Sequence, residues 1–174
     1  VLPFAGSYIV GGKNYYKNEY LGTTTWDECA DYLKKNLKFD TKVVTLRENQ
    51  TFDILKKEQL EKYERINLED MKNHILSIKE HKYDYEKDDN PDHEKLLGDV
   101  KIASKKMIER SKRFNIDLQS NVFIEIENQK IQVIKGKDKE RKLYCQLDNR
   151  LLRRILDKKA HWNNAEIGTH INFK

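Results

Sequence analysis

Apolar residues crowd the opening of the chain, Val1-Leu2-Pro3-Phe4-Ala5-Gly6-Ser7-Tyr8-Ile9-Val10, with no turn, cap or polar lead-in before them. That pattern predicts a strand taken up in the middle of a sheet. A stretch rich in Gly, Asn and Tyr follows from Gly11 to Gly22, and Thr25-Trp26-Asp27-Glu28 then has the form of a capping box, Thr25 accepting from the amide three residues on and Glu28 reaching back. A helix begins there on this reading. Trp26, Ala30, Leu33 and Leu37 share one face, and Lys34, Lys35 and Lys38 sit in the last turns, where the helix dipole favours cations. Val43-Val44-Thr45-Leu46 reads as a short strand, so residues 1–46 are expected to form one β-α-β unit. Such a unit cannot cover both faces of its strands alone.

From Phe52 the period turns helical and the composition strongly charged. Leu68, Met71, Ile75 and Ile78 mark an amphipathic helix that Asn67 can cap, and the acidic Tyr83 to Asp89 stretch ends it. Asn90-Pro91 is the expected cap and first position of a second helix, with Leu96, Val100, Ala103 and Met107 on one face. After Asn115 the period becomes two. Val122, Ile124 and Ile126 alternate with Phe123, Glu125 and Glu127, and a turn at Asn128-Gln129 leads into Ile131-Gln132-Val133, which predicts a β-hairpin. A third strand places Leu143, Cys145 and Leu147 inward. Asp148 caps a helix with Leu151, Leu152, Ile155 and Leu156 on its inner face, a turn follows at Trp162, and Thr169 to Phe173 closes the unit as a strand. The expected fold is α+β: a partial β-α-β unit over residues 1–55, two connector helices over 56–115, and a small antiparallel sheet packed with helices over 116–174.

Charge and composition narrow the function classes. The 174 residues carry 34 Lys and Arg against 29 Asp and Glu, net +5, with residues 51–100 acidic and 101–174 basic. The basic part makes Arg150, Arg153 and Arg154 candidates for an anion patch, set against a plain solvated face. No run approaches the ~18 apolar residues of a membrane span, and no signal peptide opens the chain, so a cytoplasmic protein with no membrane partner is expected. Cys29 and Cys145 both fall in apolar-patterned segments and read as buried thiols. None of the strong metal-ligand spacings occurs among the five His, including His74 and His81 at seven residues apart. Dinucleotide, phosphate-loop and nucleophile-elbow signatures are absent from the sequence, and no catalytic residue is assigned.

Two segments stand out chemically. Pro3-Phe4-Ala5-Gly6, running on to Tyr8, has the form of a strand leaving the rim of a sheet, where Gly permits close approach. His161-Trp162-Asn163-Asn164-Ala165-Glu166-Ile167-Gly168 sets a large aromatic beside two amides, useful for locking a loop on the core or for lining a ligand mouth. Phe4, Gly6, Tyr8, His161, Trp162, Asn163 and Asn164 are therefore the substrate-facing candidates.

The opening Val1 to Lys13 block, with Lys17-Asn18-Glu19-Tyr20-Leu21-Gly22, resembles the last β-α-β part of metallo-β-lactamase-fold proteins of the CMP-N-acetylneuraminate and UDP-N-acetylmuramate hydroxylase type. Asp148-Asn149-Arg150-Leu151-Leu152 and the His161 to Gly168 block look like the C-terminal region of the same relatives. The order of strands, Leu-rich helix, Trp turn and closing strand is also similar to a sterol-carrier-protein-like domain, at the level of fold alone. The resemblance implies a C-terminal piece of a metal-dependent hydrolase or hydroxylase acting on an amino-sugar or sugar-nucleotide substrate. It implies no cofactor in this chain, since the His-x-His-x-Asp-His motif is missing and Ala5 occupies a position where many members carry His; the parent would hold zinc or iron. The implied partner is the preceding part of the same protein, or a second copy. The alternative is a stand-alone module for an apolar ligand or a protein partner, marked by an apolar cavity between the helix at 149–158 and the strands at 121–147. A nucleic-acid binder using the three arginines is the least favoured reading.

Overall fold

A computed structural model describes residues 8–20, 24–38 and 41–174, and it divides the chain into two compact units, residues 1–81 and 82–174. In the first unit, Gly12–Glu19 winds as a 3-10 helix. Asn18 clamps its entry: the side-chain oxygen accepts from the Val10 amide at 2.8 Å, and the side-chain nitrogen donates to the carbonyls of Val10 and Tyr15 at 2.7 and 2.6 Å. Helix α1, Trp26–Asn36, opens on the expected capping box with both arms closed. Asp27 on its first turn is buried, and its carboxylate accepts from the Ile66 amide at 2.8 Å, so the helix start holds the approach to the next helix. Strands β1, Phe52–Asp53, and β2, Glu58–Gln59, form a two-residue-deep hairpin. Helix α2, Leu68–Ser77, is capped by Asn67 as its sequence predicts, and Met71, Ile75 and Ile78 form its less exposed stripe.

The strand expected at Val43 to Leu46 does not form. Among the described residues it joins no ladder, and Val44 is buried within a loop. Ahead of α1 in the chain, residues 8–10 likewise join no ladder, and residues 1–7 lie outside the described ones. No parallel sheet therefore accompanies α1 among the described residues.

The second unit opens with a 3-10 turn at Asp84–Lys87, followed by the long helix α3, His93–Arg113. Its cap is Asp92 rather than Asn90: the Asp92 carboxylate accepts from the Lys95 amide at 2.8 Å, two residues beyond the expected start. Pro91 keeps the preceding residue extended, which moves the first helical position forward. Strands β3, Asn121–Ile126, and β4, Gln129–Ile134, form the expected hairpin, but the turn is Glu127-Asn128. Both residues have positive φ, 46° and 69°, the geometry of a two-residue turn that follows the twist of its strands, and Gln129 then falls opposite Ile126. Strand β5, Lys142–Gln146, pairs with β3 in parallel, and β6, Asn172–Phe173, pairs antiparallel with β5. The sheet order is β4-β3-β5-β6, a mixed sheet where an antiparallel one was expected.

The parallel pairing is possible because the segment after β4 crosses over the start of β3. Asn121, buried at that point, donates to the Asp138 carbonyl at 2.7 Å, and its own amide donates to the Arg141 carbonyl at 2.8 Å. Gly136 passes so close that an added Cβ would lie 2.3 Å from the Gln119 carbonyl oxygen. Helix α4, Asn149–Leu156, starts on Asp148 as predicted, and helix α5, Trp162–Ile167, replaces the expected Trp turn. Thr169 has φ of 59°, which bends the chain and leaves only Asn172–Phe173 of the expected closing strand. The core joins Leu96, Leu97 and Val100 of α3, Ile124 and Ile126 of β3, Cys145 of β5, and Leu151 and Leu152 of α4. On the other face of the sheet Phe123 stacks on Tyr144 at 5.0 Å. The fold is α+β.

Candidate functional site

Period-two alternation sends Val122, Ile124, Leu143 and Cys145 to the helix-bearing face of the sheet, with Val122 opposite Leu143 and Ile124 opposite Cys145 in the parallel register. At the top of the hairpin the β3–β4 register slips between Val122 and Phe123. Such a bulge sets two residues of one strand against one of the other, and consecutive Val133 and Ile134 both reach this face. Ser104 on α3 donates its hydroxyl to the Val133 carbonyl at 2.5 Å, tying the helix to the irregular strand.

Beneath these tied elements the side chains do not close on each other. They line a cavity of ≈ 480 Å³ that is open to solvent on one side. Its floor is the set of sheet residues just named. Val100, Ala103, Ser104 and Met107 of α3 form one wall, and Leu152, Ile155 and Leu156 of α4 form the facing one. Trp162 and Glu166 of α5 and Phe173 of β6 complete the rim. The small side chains at 103 and 104 leave depth between α3 and the sheet unfilled, since Ala and Ser reach less far than Leu96 and Val100 in the turns before them.

The chamber holds little reactive chemistry. The Cys145 thiol is buried, and burial pushes its pKa up, with the Glu166 charge adding to the shift, so it stays protonated at neutral pH. The Ser104 hydroxyl is committed to a backbone carbonyl. Away from the chamber, Tyr85 and His170 share a hydrogen bond at 3.0 Å, with Tyr83 edge-on to the His170 ring at 4.4 Å. Burial pushes the Tyr85 hydroxyl far up, helped by the charges of Glu86 and Asp148. This group pins the chain after α5 to the segment before α3. Among the described residues no three His, Cys, Asp or Glu come together as metal ligands, and no helix is long and apolar enough to cross a membrane.

The structure distributes the candidates read from the sequence. Trp162 lines the chamber, whereas His161, Asn163 and Asn164 are exposed, and the Asn164 carbonyl accepts from the Gly168 amide at 2.8 Å to close α5. Tyr8 is exposed in residues 1–81, and Phe4 and Gly6 lie outside the described residues. The three arginines each hold a carboxylate. Arg150 meets Asp148 at 2.8 Å, Arg153 meets Asp99 at 2.6 Å and Asp157 at 2.5 Å, and Arg154 meets Asp88 at 2.5 Å. Arg150 and Arg154 also donate to the carbonyls of Glu86 and Asp84. Their positive charge is locally compensated, and their work is to fasten α4 to α3 and to the 3-10 turn. Ala103 was read from the sequence as part of the inner face of α3, whereas Ser104, Glu166 and Phe173 were not singled out; the pair of small residues at 103 and 104 is the local signal that pointed to open space there.

A scan of family models, a search of curated proteins and a search of solved structures found no match to this chain.

Proposed function

We propose that residues 82–174 bind a small apolar molecule in the chamber between α3, α4 and the sheet. The observation that carries this reading is the ≈ 480 Å³ cavity with walls of Val, Ile, Leu, Met and Trp, in the size range of small-molecule sites. An occupant that removes 100 Å² of such wall from water gains about 2.5 kcal/mol. The committed Ser104 hydroxyl and the protonated, buried Cys145 thiol favour binding over catalysis at this site. The reading stands on the chamber and not on the likeness to sterol-carrier domains, and it takes nothing from the metallo-β-lactamase resemblance, whose opening block falls in residues 1–22.

The test is a titration of the full chain with 1-N-phenylnaphthylamine, a dye that brightens in apolar surroundings. Saturable binding at one site per chain is expected, with the dye held at micromolar or tighter Kd. Ala103→Trp, which fills the chamber from the α3 wall, weakens binding at least tenfold while the far-ultraviolet circular dichroism stays the same. A chain that leaves the dye dark, or a variant that binds it as well as the parent, would count against the proposal.

A further inference from the structure

Almost every side chain that meets the chamber is apolar, so the polar exceptions decide what an occupant carries besides hydrocarbon. Ser104 is one, and its hydroxyl is taken by the Val133 carbonyl. Glu166 is the other. It projects from α5 at the rim beside Trp162, near enough to Cys145 for its charge to act on that thiol. Its carboxylate makes no ion pair and no hydrogen bond with any described side chain, in a unit where Arg150, Arg153 and Arg154 have each found a carboxylate partner. An acceptor-only group with four lone-pair directions and no donor, set where an apolar chamber meets water, is complementary to a cation attached to hydrocarbon.

Resting on the chamber reading above, we propose that the ligand is an amphiphilic amine: an apolar body seated against Ile124, Leu152 and Ile155, with a primary ammonium held by the Glu166 carboxylate at the rim. The same carboxylate acts against the commoner class of amphiphile. A fatty acid entering body first brings its own carboxylate up to Glu166, and like charges at the edge of a low-dielectric chamber repel. A neutral alcohol gains the apolar contacts and donates one hydrogen bond to the carboxylate, without the pairing of opposite charges. The predicted order is therefore ammonium, then alcohol, then carboxylate, for chains of equal length.

Competition on the full chain tests this, using decylammonium, 1-decanol and decanoate below their micelle concentrations to displace bound 1-N-phenylnaphthylamine at pH 7. Decylammonium is expected to displace the dye at about one tenth the concentration that decanol needs, a ratio equal to about 1.4 kcal/mol, with decanoate the weakest. In Glu166→Gln the ammonium is expected to lose about tenfold and fall to the level of decanol, while decanol, which keeps an amide oxygen to donate to, shifts by less than about threefold. Equal displacement by ammonium and alcohol in the parent protein, or a preference that survives Glu166→Gln, overturns the assignment of the amine and leaves apolar binding standing. Failure of all three compounds to displace a dye that Ala103→Trp shuts out likewise overturns the amine and leaves apolar binding standing, whereas a chain that binds no dye overturns both readings. So does a doubling of mass in sedimentation that shuts the dye out, which would put a second copy of the chain on the chamber.

Discussion

Gly136 shows how one residue carries the topology of the sheet. Its missing side chain lets the segment after β4 lie directly on the backbone at Gln119 and Ser120, where an added Cβ would come within 2.3 and 2.4 Å of main-chain atoms. Main chain cannot swing aside as a flexible side chain does. Gly136→Ala is therefore expected to destabilise residues 82–174 by about 3 kcal/mol, the upper range for overpacking a closed site, as read from the urea midpoint. Gly98, where an added Cβ meets nothing, supplies the control: Gly98→Ala in the α3 interior leaves stability unchanged or raises it by up to about 1 kcal/mol. Composition treats the two glycines alike. Only the crossing backbone tells them apart.

Helix α4 was the most legible element, and its legibility came from interactions that span very few residues. Asp148 accepts from the Arg150 amide at 3.0 Å and from the Arg150 guanidinium at 3.0 and 2.8 Å, so a single carboxylate closes the helix start and orients the first arginine. Both groups are largely buried. Asp148→Ala is expected to cost about 2 kcal/mol, a cap together with a charged hydrogen-bond partner, while Asp148→Asn, which keeps the cap, costs less; chemical denaturation of both variants checks the difference. The inner face at Leu151, Leu152, Ile155 and Leu156 was plain in the helical period. The outer face was not, because two of the arginines also take a carboxylate from outside the helix: Arg153 takes Asp99 from α3 and Arg154 takes Asp88 from the segment ahead of it. A basic stripe met alone reads as a free anion surface, and the same stripe in the fold is compensated.

Across the whole molecule, several carboxyl groups titrate below their ordinary range for local reasons. The Arg154 hydrogen bond holds Asp88 down, the Arg65 hydrogen bond holds Asp31 down, and the Thr25 amide and hydroxyl do the same for Glu28. A carboxyl group whose folded pKa lies below its unfolded value of about 4 contributes fully above that pH. The contribution is lost as pH falls through the folded value. Stability is thus expected to hold level from pH 7 to about 5 and to drop between about pH 4 and 2, followed as the urea midpoint against pH. Asp88→Asn should flatten part of that acid limb, since the variant has no proton to take up at 88.

The sequence by itself determined the helix starts at Thr25, Asn67 and Asp148, the hairpin over 121–134, the inward face of Cys145 and the α+β class. These follow from caps that reach two or three residues and from periods of 3.6 and 2, which the chain carries wherever it is placed. Tertiary structure decided the rest. A strand needs another backbone, so Val43 to Leu46 stayed unpaired while Lys142–Gln146 found β3 in parallel. The chamber depends on how α3 and α4 sit over the sheet, and its lining comes from seven separate elements at once. The small pair at 103 and 104 hints at room on α3, but the space itself exists only once those segments have met.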